Sequence, residues 1–172
     1  MKILSVCTEN LCRSPIAESL LKSYTSLERH AMARAGAKAG NGEEIHPEAA
    51  SISYERESTD EDFSSRHLTQ PVVNDSDLAF TMTRAHRSVN DSLAPGRWPR
   101  KSTLCELAAP TCEHPGLSLE EFAHRLTDRN AGAIDITNPV GGSSTVFETC
   151  AREPEIATSK VPPCLKNLRS EQ

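Results

Sequence analysis

With 172 residues the chain is of the length expected for one domain with a sizeable core. Aromatics make up only 4% of it against 37% apolar and 25% charged residues, so Ala, Leu, Ile and Val must supply most of that core. The formal net charge of −5 argues against nucleic acid or an anionic membrane as the main partner.

The N-terminus lacks the charged head, long apolar run and cleavage site of a signal peptide, and no stretch approaches the roughly 20 apolar residues that a bilayer span needs. A cytoplasmic protein is therefore expected, with its six cysteines, Cys7, Cys12, Cys105, Cys112, Cys150 and Cys164, mostly free thiols. The separation of Cys105 from Cys112 is wrong for a zinc knuckle, and neither a metal nor a cofactor is expected.

In chain order, Lys2 to Val6 (KILSV) reads as a buried first strand. The polar stretch CTENLCRS follows it. Ser14 and Pro15 then mark a helix start, with Ile16, Ala17, Leu20, Leu21 and Tyr24 at helical spacing. Ala31 to Ala35 is a weak second strand before the glycine-rich stretch Gly36 to Gly42, and His46 to Tyr54 forms a helix starting near Pro47. Val72 and Val73 begin a short helical turn, Asp77 to Met82 reads as a strand, and Thr83 to Ser92 as a helix ending before Pro95-Gly96. Ser102 to Leu107 is a short strand candidate, and Leu117 to Leu126 has the spacing of an amphipathic helix. Ser143 or Ser144 can cap a final helix through Val146, Phe147 and Cys150, which Pro154 should bend or end.

This alternation implies an α/β fold: an open parallel four-stranded sheet with helices on both faces. No repeat or linker divides residues 1–172, so one domain is expected, with a less certain tail from about Pro154.

The loop after the first strand carries the chemistry. Cys7 stands at the strand's end, Arg13 six positions later, and a helix start beside the arginine. Such a loop can turn its backbone N–H groups inward around a tetrahedral oxyanion, while the helix N-terminus adds donors and positive potential. That field favours a thiolate at Cys7, the form that attacks phosphorus. The planar fork of Arg13 can hold two phosphoryl oxygens, and the Ser14 hydroxyl can donate to the Cys7 sulfur. Thr8, Glu9, Asn10, Leu11 and Cys12 complete the expected anion cradle.

The stretch VCTENLCRSPIAE resembles the opening signature of the low-molecular-weight protein tyrosine phosphatases, V-C-x-G-N-I-C-R-S-P-x-A-E. Ala35-Gly36, Ser65 to Thr69 (SRHLT), Asp77-Leu78 with Met82-Thr83, and Asn138-Pro139 are similar to later segments of that family. The resemblance implies the phosphatase fold and a phosphocysteine route to hydrolysis of phosphotyrosine on proteins or of a small phosphomonoester. Inorganic phosphate or sulfate would bind at the loop. It implies Cys7 as nucleophile, Arg13 as phosphate clamp, Ser14 as thiolate partner, and Asn10 as the residue holding an unusual backbone conformation. Cys12 would be a redox partner able to form a reversible disulfide with Cys7.

Three departures bear on function. The family's general acid position holds Asn138, which can donate a hydrogen bond but not a proton, a loss worth roughly 10²–10⁴ in rate. Asp135, three residues earlier, is a possible substitute. Glu9 replaces a loop glycine and brings negative charge to an anion site. Val140-Gly141 stand where an aromatic wall is expected, with Tyr54 and Trp98 as candidate replacements. The six histidines, His46, His67 and His86 among them, read as solvated or capping. A weakened phosphatase is the leading expectation, a catalytically impaired phosphoprotein binder the second. An arsenate reductase is the third, although no clear resolving cysteine pair is readable near the cleft and only Cys105 and Cys112 are left as candidates.

Overall fold

A computed structural model describes residues 1–24, 31–55, 62–97, 101–107, 118, 121 and 135–159. Four strands, β1 (Lys2–Cys7), β2 (Ala31–Gly36), β3 (Leu78–Thr81) and β4 (Lys101–Thr103), form one sheet in the order β2-β1-β3-β4. All three pairings are parallel, so the strands end along one edge, with Cys7 opposite Gly36 and Val6 opposite Thr81.

Side chains alternate across β1 because its pleat has a period of two. Ile3 and Cys7 pack with Leu78, Phe80 and Met82 in one core, while Leu4 and Val6 pack with Ala79, Leu68 and Val73 in another. The first core is covered by α1 (Arg13–Tyr24) through Ala17 and Leu21, and by α6 (Ser144–Ser159) through Cys150 and Ala157. The second is covered by α3 (Gln70–Asn74) through Val73. A third cluster joins the outer side of α1, at Ile16 and Leu20, to Ala49 of α2 (Pro47–Tyr54) and Phe147 of α6. Helices thus lie on both faces, and each fully buried Leu, Ile or Phe adds about 1.5–3 kcal/mol to the stability of the stack.

The remaining elements are α4 (Arg84–Leu93), a 3₁₀ turn at Pro95–Arg97, and α5 (Leu104–Leu107). The expected strand at Ser102 to Leu107 is half helix, for a local reason. Thr103 Oγ1 accepts from the Glu106 N–H at 3.2 Å, and the Glu106 carboxylate accepts from the Thr103 N–H at 2.7 Å, a reciprocal capping box that starts α5. The same pairing recurs between Ser118 and Glu121, at 2.9 and 3.1 Å, where the sequence predicts the amphipathic helix; the rest of that helix lies outside the described residues.

Two further details differ from expectation. Of the bend or end expected at Pro154, the end does not occur, since the last helix runs to Ser159. Phe147, Cys150, Ala151, Pro154 and Ala157 are all buried along one face, and their packing offsets the loss of about 3 kcal/mol that an interior proline costs. The first helix starts at Arg13, two residues before the Pro15 start that a Ser14 cap implies, because the Ile16 N–H bonds to the Cys12 carbonyl at 3.1 Å. Cys12 is therefore the capping residue, and Ser14 lies inside the first turn.

Candidate active site

The strand order places β1 and β3 side by side, so the loop leaving β1 and the helix start after β3 meet at the sheet's C-terminal edge. This is where open parallel sheets bind ligands.

Three of the loop's carbonyls are anchored to the chain around it: those of Cys7 and Thr8 accept from the N–H groups of Ala37 and Lys38 at 2.9 and 2.7 Å, and that of Leu11 from His46 at 3.1 Å. In a trans peptide the following N–H points the other way, so the amides of Thr8, Glu9 and Cys12 are directed away from these anchors. Asn10 adopts φ 62°, the left-handed value that closes the curve, and its N–H donates to the Cys7 sulfur at 3.2 Å. Among the described residues Asn10 is the one non-glycine with positive φ, so the loop does not need a glycine at Glu9. Glycine is needed beneath it: a Cβ on Gly36 would stand 2.6 Å from the Thr8 carbonyl oxygen and 2.8 Å from the Asn10 nitrogen.

Arg13 is buried, with Nη1 donating to the Ile136 carbonyl at 3.1 Å and Nη2 to Thr8 Oγ1 at 2.7 Å. Ile136 is itself held by its N–H on the Met82 carbonyl at 2.9 Å. Two of the five guanidinium donors thus fasten the fork to the protein, leaving others to face an anion. Ser14 is fully buried and its hydroxyl makes no hydrogen bond among the described residues; the sulfur's donor is the Asn10 amide instead.

A cleft of about 190 Å³ opens over the loop, lined by Cys7, Thr8, Glu9, Leu11, Cys12, Arg13, Asn138 and Val140. Asn138 therefore shares the cleft with Cys7 and Arg13. Asp135 is engaged elsewhere: its carboxylate accepts from the Arg84 N–H at 2.9 Å and from the Arg84 guanidinium at 3.3 and 3.4 Å. Partial burial raises its pKa, but the Arg84 hydrogen bonds and charge outweigh that and hold it below the usual carboxylate range. Glu9 is exposed at the rim. Tyr54, a candidate replacement for the aromatic wall, is 75% exposed and is not a lining residue. Trp98 lies outside the described residues.

The sequence reading missed His86. It is not solvated but 7% exposed, with Nε2 2.9 Å from Thr8 Oγ1 and Nδ1 2.9 Å from Thr83 Oγ1. Burial, and then the Arg13 charge, push its pKa down to about 4 against a smaller opposing effect of Asp135. The available signal was Thr83-x-x-His86 opening a helix after a strand that neighbours β1: the Thr83 hydroxyl caps α4 by accepting the His86 N–H at 3.2 Å. His46 and His67 do serve local structure. His46 caps α2 by accepting the Glu48 N–H at 3.3 Å, and His67 Nδ1 meets the Ala39 carbonyl at 3.1 Å.

Cys7, Cys12, Cys105 and Cys150 are free thiols. Burial above all pushes the pKa of Cys12 and Cys150 up to about 12 and that of Cys105 to about 11. Among the described residues no cluster of His, Cys, Asp or Glu could hold a metal ion, and no helix is long and apolar enough to cross a membrane.

The family model described as low molecular weight phosphotyrosine protein phosphatase matches residues 2–171, including the tail beyond Pro154 that the sequence resemblance had left out. The low molecular weight protein-tyrosine-phosphatase Wzb of Escherichia coli K12 is 32% identical over 140 residues, covering 75% of this chain and 89% of Wzb. Wzb of Salmonella typhi is 36% identical over 94 residues, covering 55% of this chain and spanning 62% of that relative's length. Among solved structures, YwlE arginine phosphatase, as a mutant with a phosphorylated active-site serine, superposes with a TM-score of 0.77 at 26% identity over 98% of both chains.

Proposed function

This chain belongs to the low molecular weight phosphotyrosine protein phosphatase family, and we propose that it hydrolyses phosphomonoesters, phosphotyrosine on proteins foremost, through a phosphocysteine on Cys7. The observation that carries the reading is that Cys7, whose sulfur accepts the Asn10 N–H, and Arg13, whose fork is held by Thr8, line one cleft.

The Cys7 thiolate attacks phosphorus from the strand end, forming an S–P bond as the P–O bond to the leaving group breaks. Loop amides and Arg13 take up the charge on the equatorial oxygens, donors preorganised where charge develops. The Asn10 N–H donates to the Cys7 sulfur that attacks and later departs. Asn138 stands in the cleft where it can hydrogen-bond the leaving oxygen, but the proton for that oxygen must come from water. Good leaving groups are therefore favoured. In the second step water attacks phosphorus, the S–P bond breaks, and inorganic phosphate, a proton and the Cys7 thiolate result.

A second reading is phosphoarginine as substrate, favoured by the similarity to YwlE arginine phosphatase and by Val140, not an aromatic residue, lining the cleft after Pro139. Purified protein given para-nitrophenyl phosphate, a phosphotyrosine peptide and a phosphoarginine peptide decides between the substrates. Turnover that disappears in Cys7→Ser is the expected result. No turnover of any of the three by the native protein, with phosphopeptide binding intact, would replace the hydrolase with a phosphoprotein-binding relative.

A further inference from the structure

We infer that His86 is a positioning residue, which holds the Arg13 guanidinium in the anion cradle through the Thr8 hydroxyl. The inference rests on Arg13 binding the phosphoryl group, as proposed above. It extends that reading to a residue on a different helix.

The contacts form an unbroken chain. Arg13 Nη2 donates to Thr8 Oγ1 at 2.7 Å, Thr8 Oγ1 lies 2.9 Å from His86 Nε2, and His86 Nδ1 lies 2.9 Å from Thr83 Oγ1. Thr83 in turn caps α4, so the ring is bonded at both nitrogens and its backbone is held by the same hydroxyl. Thr8 has one proton and two lone pairs. With a lone pair committed to Arg13, its proton is directed to Nε2 of a neutral ring, and the hydroxyl cannot rotate away.

Packing alone does not explain this arrangement. A buried imidazole is costly unless its polar atoms are satisfied, and an apolar side chain would fill the same space more cheaply. The return is order in Arg13. A long side chain loses much rotamer freedom when it clamps an anion, and a guanidinium already held on two sides loses less of it on binding. The charged groups around the ring fit a neutral state. Arg13 opposes an imidazolium, and Asp135, the group that would favour one, is engaged with Arg84.

The test separates the two ends of the ring. Gln at position 86 can reach towards Thr8 as Nε2 does, whereas Asn can reach only towards Thr83 as Nδ1 does. Inorganic phosphate affinity by calorimetry, and hindered rotation of the Arg13 guanidinium by nitrogen-15 NMR in the ligand-free protein, are measured for His86→Gln, His86→Asn, Thr8→Val and the double variant Thr8→Val/His86→Asn. Both readouts apply whether or not the protein turns over a substrate. Expected are a loss of phosphate affinity of about tenfold in His86→Asn and in Thr8→Val, with no further loss in the double variant, as for groups acting through one hydrogen bond to a charged partner. His86→Gln should stay near wild type, and the Arg13 signal should broaden only where phosphate affinity falls. Equal behaviour of Gln and Asn, or independent losses that multiply in the double variant, would overturn the proposal. So would an unchanged Arg13 signal in Thr8→Val, a variant that leaves the buried ring in place.

Discussion

The carboxylate of Asp135 is bound three times by Arg84, once by its backbone N–H at 2.9 Å and twice by its guanidinium. This ties the segment leading to Asn138 onto the first residue of α4. It also commits the Asp135 carboxylate to a structural ion pair in the ionised state. On the proposed mechanism, position 138 is where a proton donor would be restored. Asn138→Asp should raise kcat for phosphotyrosine by about 10²–10³, and raise it less for substrates with better leaving groups. Leaving-group dependence of kcat in the two proteins checks this; an unchanged slope would show that departure is not limited by the missing acid.

Asp135→Asn should leave turnover nearly unaltered and alter stability instead. A carboxylate whose folded pKa lies below its unfolded value near 3.9 stabilises the fold above that pH, and the contribution is lost as the pH falls through the lower folded value. Denaturant midpoints between about pH 5 and 2 should show this loss in the native protein and not in the variant. The effect should be small, because the pair is partly exposed and screened.

His86 gives a stability signature at higher pH. Its folded pKa of about 4 lies below its unfolded value of 6.5, so between those values the unfolded chain binds the additional proton. Stability therefore rises with pH across this window, is complete above about 6.5, and falls on acidification towards 4. His86→Gln should flatten unfolding curves over that range while retaining the Thr8 contact.

Glu9 stands at the rim of the cleft in which a phosphoryl dianion is proposed to bind. Two exposed charges a few ångströms apart repel by about 1 kcal/mol in water and somewhat more beside protein. Glu9→Gln should accordingly lower KM about three- to tenfold at low ionic strength, with the difference shrinking as salt is added. A KM insensitive to both the variant and salt would mean that the carboxylate points away from the bound substrate.

Gly36 underlies the loop at the β2 end. Gly36→Ala forces a methyl into backbone atoms of Thr8 and Asn10, where no flexible side chain can yield. The variant should lose about 1–3 kcal/mol of stability, as overpacked sites do, and weaken phosphate binding by displacing the loop. Thermal unfolding and phosphate calorimetry on one preparation test both effects.

The sequence by itself determined the sheet, the loop and the family resemblance, since these rest on local signals. Alternating apolar residues, a strand running into Cys7, and an arginine at the following helix start are all contiguous in the chain. The missed details were of two kinds. The capping box at Thr103 and Glu106 was local and readable, whereas the survival of the last helix through Pro154 needed the packing of α6 against α1 and the sheet to offset a local penalty. Which distant groups reach the loop depends instead on how the strands pair. Parallel pairing of β1 with β3 brings His86 to Thr8 across 78 positions of sequence, and the Ile136 carbonyl to Arg13 across 123. Such contacts arise from the order of strands along the shared edge, a property of pairing that no spacing within a single segment records.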